Sequence, residues 1–308
     1  MKKVVGVIIL LIIGMTIVFQ SNATSINKSK QFVKLGSEEE RDIYLETKDT
    51  SAYVPVQDEN LNYDYIHMSL EAIFDEYINQ RNLAGEIAIG YYNFETQEVY
   101  KYNSETYMNA ASLYKLPLNM DIYDEINAGK VDGMDTIVLN EFHFSECSTT
   151  DVYIGGSYSL MELTKNSILY SDNVSSYALF DYLGGWKVYR ERTTKYSQTV
   201  SYSMEYCENM YTVDYMIDVL KYLYTHQEEY SVLIEQMSKV SPKESLGKYI
   251  DVVVAQKEGW LGENWNAAGI TYGNQPYAAA IFTSEGALGS DICGEINYIL
   301  YMHSRYSK

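Results

Sequence analysis

The spacing of apolar residues changes period twice along this 308-residue chain, which limits the fold more than any other feature of the sequence. Ile66, Leu70, Ile73, Phe74 and Tyr77 recur at three- and four-residue steps and predict a helix from about Leu61. "GEIAIGYYNF" and "EVYKYN" then alternate or run apolar on either side of "ETQ", the pattern of a β-hairpin. The centre returns to helical spacing. Ser159-Leu160-Met161-Glu162 reads as a capping box, "VSSYALFDYL" stops at Gly184-Gly185, and Thr212 caps a helix that ends near His226. Strand period comes back in "YIDVVVAQKEG", "NAAGITYG" and "QPYAAAIFT", with Gly273-Asn274 as a turn, before a last helix from Leu288 to His303. Strands at both ends with helices between them imply one sheet completed by the two ends. The expected class is α+β: an antiparallel sheet flanked by N- and C-terminal helices, with an all-helical subdomain inserted. The sheet part spans about 61–108 and 245–308, and the helical part about 109–244.

The first sixty residues carry a different signal. Lys2 and Lys3 precede an apolar run from Val4 to Phe19, and Ala23 ends a small-x-small pattern. Residues 1–23 read as a signal peptide, or as an uncleaved signal anchor, and place the remainder outside the cytoplasm. Residues 24–60 are polar and charged and read as a linker. The net charge of −19 opposes binding to nucleic acid and to anionic lipid, so a membrane contact is expected only through the N-terminal segment. Cys147, Cys207 and Cys293 allow at most one bridge, and none is expected to be essential. His67, His143, His226 and His303 lack metal-ligand spacing; no metal or cofactor is expected.

Three short stretches carry chemistry. "AASLYKLPL" holds Ser112 and Lys115, three apart and so on one face of a helix, with Pro117 expected to kink its early turns. Ser-x-x-Lys alone is weak, since it recurs at Ser25/Lys28 and Ser245/Lys248. "YSDNVSS" places Ser171-Asp172-Asn173 in a loop between two helices, and "AQKEGW" places Lys257-Glu258-Gly259 at the end of an apolar strand. Singly, these are a helix face, a helix cap and a strand end. Jointly, they supply a nucleophile, a base that burial and a second cation can hold neutral, and a positive charge for a carboxylate.

In order, in spacing (59 residues from Ser112 to Ser171) and in the element each occupies, the three stretches resemble the motif set of class A β-lactamases and penicillin-binding proteins. The resemblance covers roughly 61–307 and implies the β-lactamase/transpeptidase-like fold and a serine hydrolase acting by an acyl-enzyme. It implies Ser112 as nucleophile, Lys115 as its base, and Ser171 as a relay to the leaving nitrogen. Asn173, Lys257 and Gly259 would bind substrate, and the backbone N–H groups of Ser112 and Trp260 would form the oxyanion hole. The substrate would be a small β-lactam or a peptidoglycan-derived amide, and the protein a monomer.

Two departures qualify that picture. The third stretch holds Glu258 where the family carries a hydroxyl residue, and a carboxylate aimed at the site would repel an anionic substrate unless Lys257 neutralises it or the side chain turns away. The family's Glu-x-x-Leu-Asn pattern is matched only by "EYCEN", which makes Glu205 the candidate deacylation base, with Glu208 and Glu191 as rivals. Three readings therefore stay open: a hydrolase, a penicillin-binding or peptidase-like protein with slow release, and a non-catalytic domain that binds cell-wall fragments.

Overall fold

The structure is a computed structural model and describes residues 61–199, 209–241 and 243–306. The expected signal segment 1–23 and linker 24–60 lie outside the described residues.

The chain opens with helix α1 (Leu70–Arg81), capped by the Ser69 side chain on the N–H of Ala72 and stopped by left-handed Asn82. It starts later than the sequence spacing predicts. Residues 61–69 form turns in which Leu61 and Tyr65 are buried, while Ile66 faces solvent. A hairpin of β1 (Ile87–Asn93) and β2 (Val99–Tyr102) follows. At the other end of the chain β7 (Val253–Leu261), β8 (Asn264–Tyr272) and β9 (Tyr277–Thr283) precede the helix that ends the described chain. The five strands form one antiparallel sheet in the order β2-β1-β9-β8-β7, so the two ends of the chain meet at the β1–β9 pair.

Strand alternation divides the sheet between two cores. Ile87, Ile89, Tyr91, Tyr277, Ala279 and Ile281 join α1 and the final helix on one face. Ala88, Ala278, Ala280 and Phe282 face the central helices on the other.

The central segment begins with β3 (Met108–Asn109) and a 3-10 turn, Ala111–Tyr114, that runs into α2 (Lys115–Asn127). Pro117 is the third residue of α2. Its missing N–H falls among those that lack an intrahelical partner anyway, so the expected kink is replaced by a tightened turn before the helix. Next come β4 (Thr136–Val138), β5 (Ser157–Ser159), α3 (Leu160–Leu169), α4 (Asn173–Leu183) and α5 (Trp186–Thr193). The segment closes with β6 (Met210–Tyr211), α6 (Val213–Thr225) and α7 (Ser231–Met237), and the chain with α8 (Gly289–Tyr306). The Ser159–Glu162 capping box opens α3 and Thr212 caps α6, as the sequence predicts. Two strand pairs, β3–β6 and β4–β5, punctuate this largely helical segment. They are two and three residues long, too short to leave a period in the sequence.

Candidate active site

Ser112 sits in the 3-10 turn, and three asparagines far apart in sequence shape the approach to it. Asn109 Oδ1 accepts the N–H of Ala111 at 2.9 Å, an Asx turn that holds Ala111 at φ +48°. Asn209 Nδ2 donates to the Ala111 carbonyl at 2.7 Å, while its own carbonyl accepts from Ala110 N–H at 2.9 Å. Asn266 Nδ2, on β8, donates to the Asn109 carbonyl at 2.7 Å. A non-glycine residue in left-handed conformation costs on the order of 1–3 kcal/mol and persists only where its surroundings fix it. Here they fix the residue before the candidate nucleophile.

Lys115 opens α2 one turn later and is fully buried. Its Nζ donates to the Ser171 carbonyl at 2.5 Å and to Asn173 Oδ1 at 2.7 Å, with Ser171 Oγ at 3.4 Å. Burial, and then the nearby Lys257, push its pKa well below the ordinary lysine value. A neutral amine has two hydrogens and one lone pair. Two acceptors use the hydrogens, and the lone pair is left to take a proton. Lys257, also fully buried, donates to Ser171 Oγ at 3.1 Å and to the Glu258 carbonyl at 2.5 Å. Burial brings its pKa from 10.5 down to about 8, although Glu258 raises it. Ser171 Oγ thus bridges the two amines.

The turn that carries Ser171 is itself held tightly. Ser171 adopts φ +53°. Asp172 caps α4 by accepting Ser175 N–H at 2.7 Å, and it also accepts Ser148 Oγ at 2.6 Å and Thr149 N–H at 2.7 Å. Burial would raise the pKa of Asp172, but the donors from Ser148, Ser175 and Thr149 hold it below the usual carboxylate value. The Ser-Asp-Asn stretch is therefore both a helix cap and one wall of the site.

A family model for the beta-lactamase enzyme family matches residues 69–303. The chain belongs to that family. Among solved structures it is similar to PBP-A, with a TM-score of 0.66 at 15% identity over 72% of this chain and 91% of that one. It is also similar to a beta-lactamase from Sphaerobacter thermophilus, with a TM-score of 0.66 at 21% identity over 73% and 93% of the two chains. A class A beta-lactamase from Bacteroides cellulosilyticus gives 0.62 at 19% over 76% and 97%. No curated protein matches. At such identities the likeness is one of fold, the β-lactamase/transpeptidase-like fold.

Against that family's pattern, the third stretch lies inside β7 rather than at its end. The strand runs on to Leu261 and turns through Gly262, at φ +60°, and Glu263 into β8. In the register of this two-residue hairpin, Leu261 pairs with Asn264, and Trp260 with Trp265. Antiparallel pairs alternate in hydrogen bonding, so the N–H of Trp260 points away from β8, over the free edge of the sheet. The Glu258 carbonyl points the same way and meets Lys257 Nζ.

Alternation also settles where Glu258 goes. Lys257 and Gly259 face the helical side, while Glu258 turns to the other face, where its Oε2 accepts Ser245 Oγ at 2.7 Å. Ser245 Oγ in turn accepts Trp265 Nε1 at 3.0 Å.

Gly259 brings the edge strand onto the nucleophile turn. A Cβ built there would lie 2.6 Å from Ser112 N and 2.8 Å from the Ala110 carbonyl. Gly259→Ala is expected to push β7 off Ser112 and to lower kcat/KM by about 100-fold or more, the scale of losing one oxyanion donor. Circular dichroism checks that the fold survives, and steady-state kinetics reads the loss.

Glu205 and its rival Glu208 lie outside the described residues. Glu191 is exposed on α5 beside Lys187. Asn209, from the same "EYCEN" stretch, reaches the site through its bonds to Ala110 and Ala111, and its Oδ1 is buried without a partner among the described residues. Sequence reading missed Asn109, Asn266 and Glu146. The last accepts Asn173 Nδ2 at 2.7 Å and the Tyr177 hydroxyl at 3.1 Å. It stands in a loop, "SECSTT", that shows no motif.

Proposed function

We propose that this protein is an exported serine hydrolase that forms an acyl-enzyme on Ser112 with a β-lactam or a related cell-wall amide and releases it with water. The observation that carries the reading is the pair of buried lysines joined through Ser171 Oγ beside the Ser112 turn. Lys115, held neutral by burial, takes the Ser112 proton as the hydroxyl attacks the carbonyl carbon. The developing oxyanion lies between the N–H groups of Ser112 and Trp260. The C–N bond then breaks as Ser171 passes a proton to the leaving nitrogen and recovers one from Lys115. Lys257, protonated, attracts the substrate carboxylate. Water freed of a proton by Glu205, with Asn209 Oδ1 as a further acceptor, hydrolyses the ester.

Two observations separate this reading from a non-catalytic domain. Glu258 is turned away from the site. Lys257 carries a pKa depression that corresponds to about 3 kcal/mol below pH 8, where folded and unfolded states are both protonated. Binding alone gives no reason to keep two such amines together. PBP-A, whose acyl-enzyme with penicillin G has been solved, shares the fold and keeps slow release as the second reading. The basic and apolar N-terminal segment supports export, and every candidate site residue comes from one chain, which supports action as a monomer.

The test is to follow labelled penicillin and a chromogenic cephalosporin together. Turnover is expected, with Glu205→Gln slowing release by about 100-fold and leaving acylation intact. Stable stoichiometric labelling of the wild type points to slow release, and absence of labelling overturns the proposal.

A further inference from the structure

We propose that Glu146 sets the side-chain specificity of this site, favouring substrates with an ammonium group next to the acyl amide carbonyl and disfavouring those with a carboxylate there. The proposal rests on the acyl-transfer reading above. Its starting point is the hydrogen bonding of Asn173. The Oδ1 of that amide is taken by Lys115 at 2.7 Å, and one hydrogen of its Nδ2 is taken by Glu146 Oε2 at 2.7 Å. An amide NH2 has two hydrogens, so one remains for a substrate carbonyl. Two acceptors on one nitrogen, each at an ordinary 2.9 Å and 120° apart, lie about 5 Å from each other. A substrate amide that docks on Asn173 therefore brings the carbon beside its carbonyl next to the Glu146 carboxylate.

That carboxylate is not a loose surface charge. Its other oxygen accepts the Tyr177 hydroxyl from α4 at 3.1 Å. The loop that carries it is fastened two and three residues on, where Ser148 and Thr149 donate to Asp172. Glu146 itself is exposed, so a substrate can reach it without rearrangement of the fold. The cationic groups of the site, Lys115 and Lys257, lie deeper and are both buried. The site thus presents cations at its floor and a carboxylate at its rim. This polarity suits a ligand with its own carboxylate inward and an ammonium group outward, as in a peptide bearing a free amino group.

Three penicillins that differ only at the side-chain α carbon test this: ampicillin with an ammonium group, benzylpenicillin with hydrogen, and carbenicillin with a carboxylate. One unit charge about 5 Å from an exposed carboxylate alters a rate by about fivefold. The rate constant for acylation of Ser112 is expected to fall about fivefold from ampicillin to benzylpenicillin and again to carbenicillin. High salt should narrow the spread. Glu146→Gln should bring the three within about twofold, and Glu146→Lys should reverse the order. An unchanged spread in Glu146→Gln, with all three acylating, overturns this inference alone. Failure of all three to acylate the wild type overturns the acyl-transfer reading and the inference with it.

Discussion

Ser112→Ala is expected to abolish covalent labelling by penicillin and to lower kcat/KM at least about 10⁴-fold, the scale reached when a serine nucleophile is removed from an otherwise intact site. The loss is a clean measure of chemistry because the substitution takes away one hydroxyl and little structure. The turn around Ser112 is held by Asn109, Asn209 and Asn266 through the backbone of residues 109–111, and none of those bonds uses the serine side chain. The thermal midpoint should therefore move by no more than a few degrees, as for a substitution away from core and caps. Mass spectrometry of the labelled wild type should place the adduct on the peptide containing Ser112. An adduct on the peptide containing Ser171, or undiminished labelling of the alanine variant, would remove Ser112 from the mechanism.

The three motif stretches were legible because each demands particular residue types at a particular spacing, and the change of period told which element each occupies. Glu258 shows how far such reading reaches. Its direction follows from strand alternation once Lys257 is assigned to the site face, and the structure puts it on Ser245 behind the strand. Pro117 marks where it stopped: the proline is visible, but the 3-10 turn that makes it harmless depends on how Ala111 is clamped. That clamp was not legible. Asn109, Asn209 and Asn266 look like ordinary turn and strand residues, and their partners lie up to 157 positions away. Glu146 was invisible for the same reason, since its loop acquires meaning only when Asp172 gathers it against α4. The sequence carries the chemistry in short words, whereas the supports are long-range contacts of common polar residues.

The two lysines give the second large effect and a test of their roles by pH. If Lys115 acts as the neutral base, acylation rises as pH increases through its lowered pKa, because the protonated amine cannot accept from Ser112. If Lys257 acts as a cation, acylation falls as pH passes about 8, where its ammonium loses the proton. The profile of kcat/KM is expected to be a bell whose alkaline limb lies near pH 8. The limbs belong to the coupled pair, since each amine feels the other through Ser171, so single substitutions are needed to assign them. Lys115→Met should cost about 10³-fold or more and leave no acid limb to follow. Lys257→Arg keeps the charge at every accessible pH and should carry the alkaline limb beyond 10, with a lower maximum because the planar fork fits the buried ammonium position poorly. An alkaline limb that stays near 8 in Lys257→Arg would assign it to Lys115 instead. Lys115 would then act in its charged form, and the proton of Ser112 would need another acceptor.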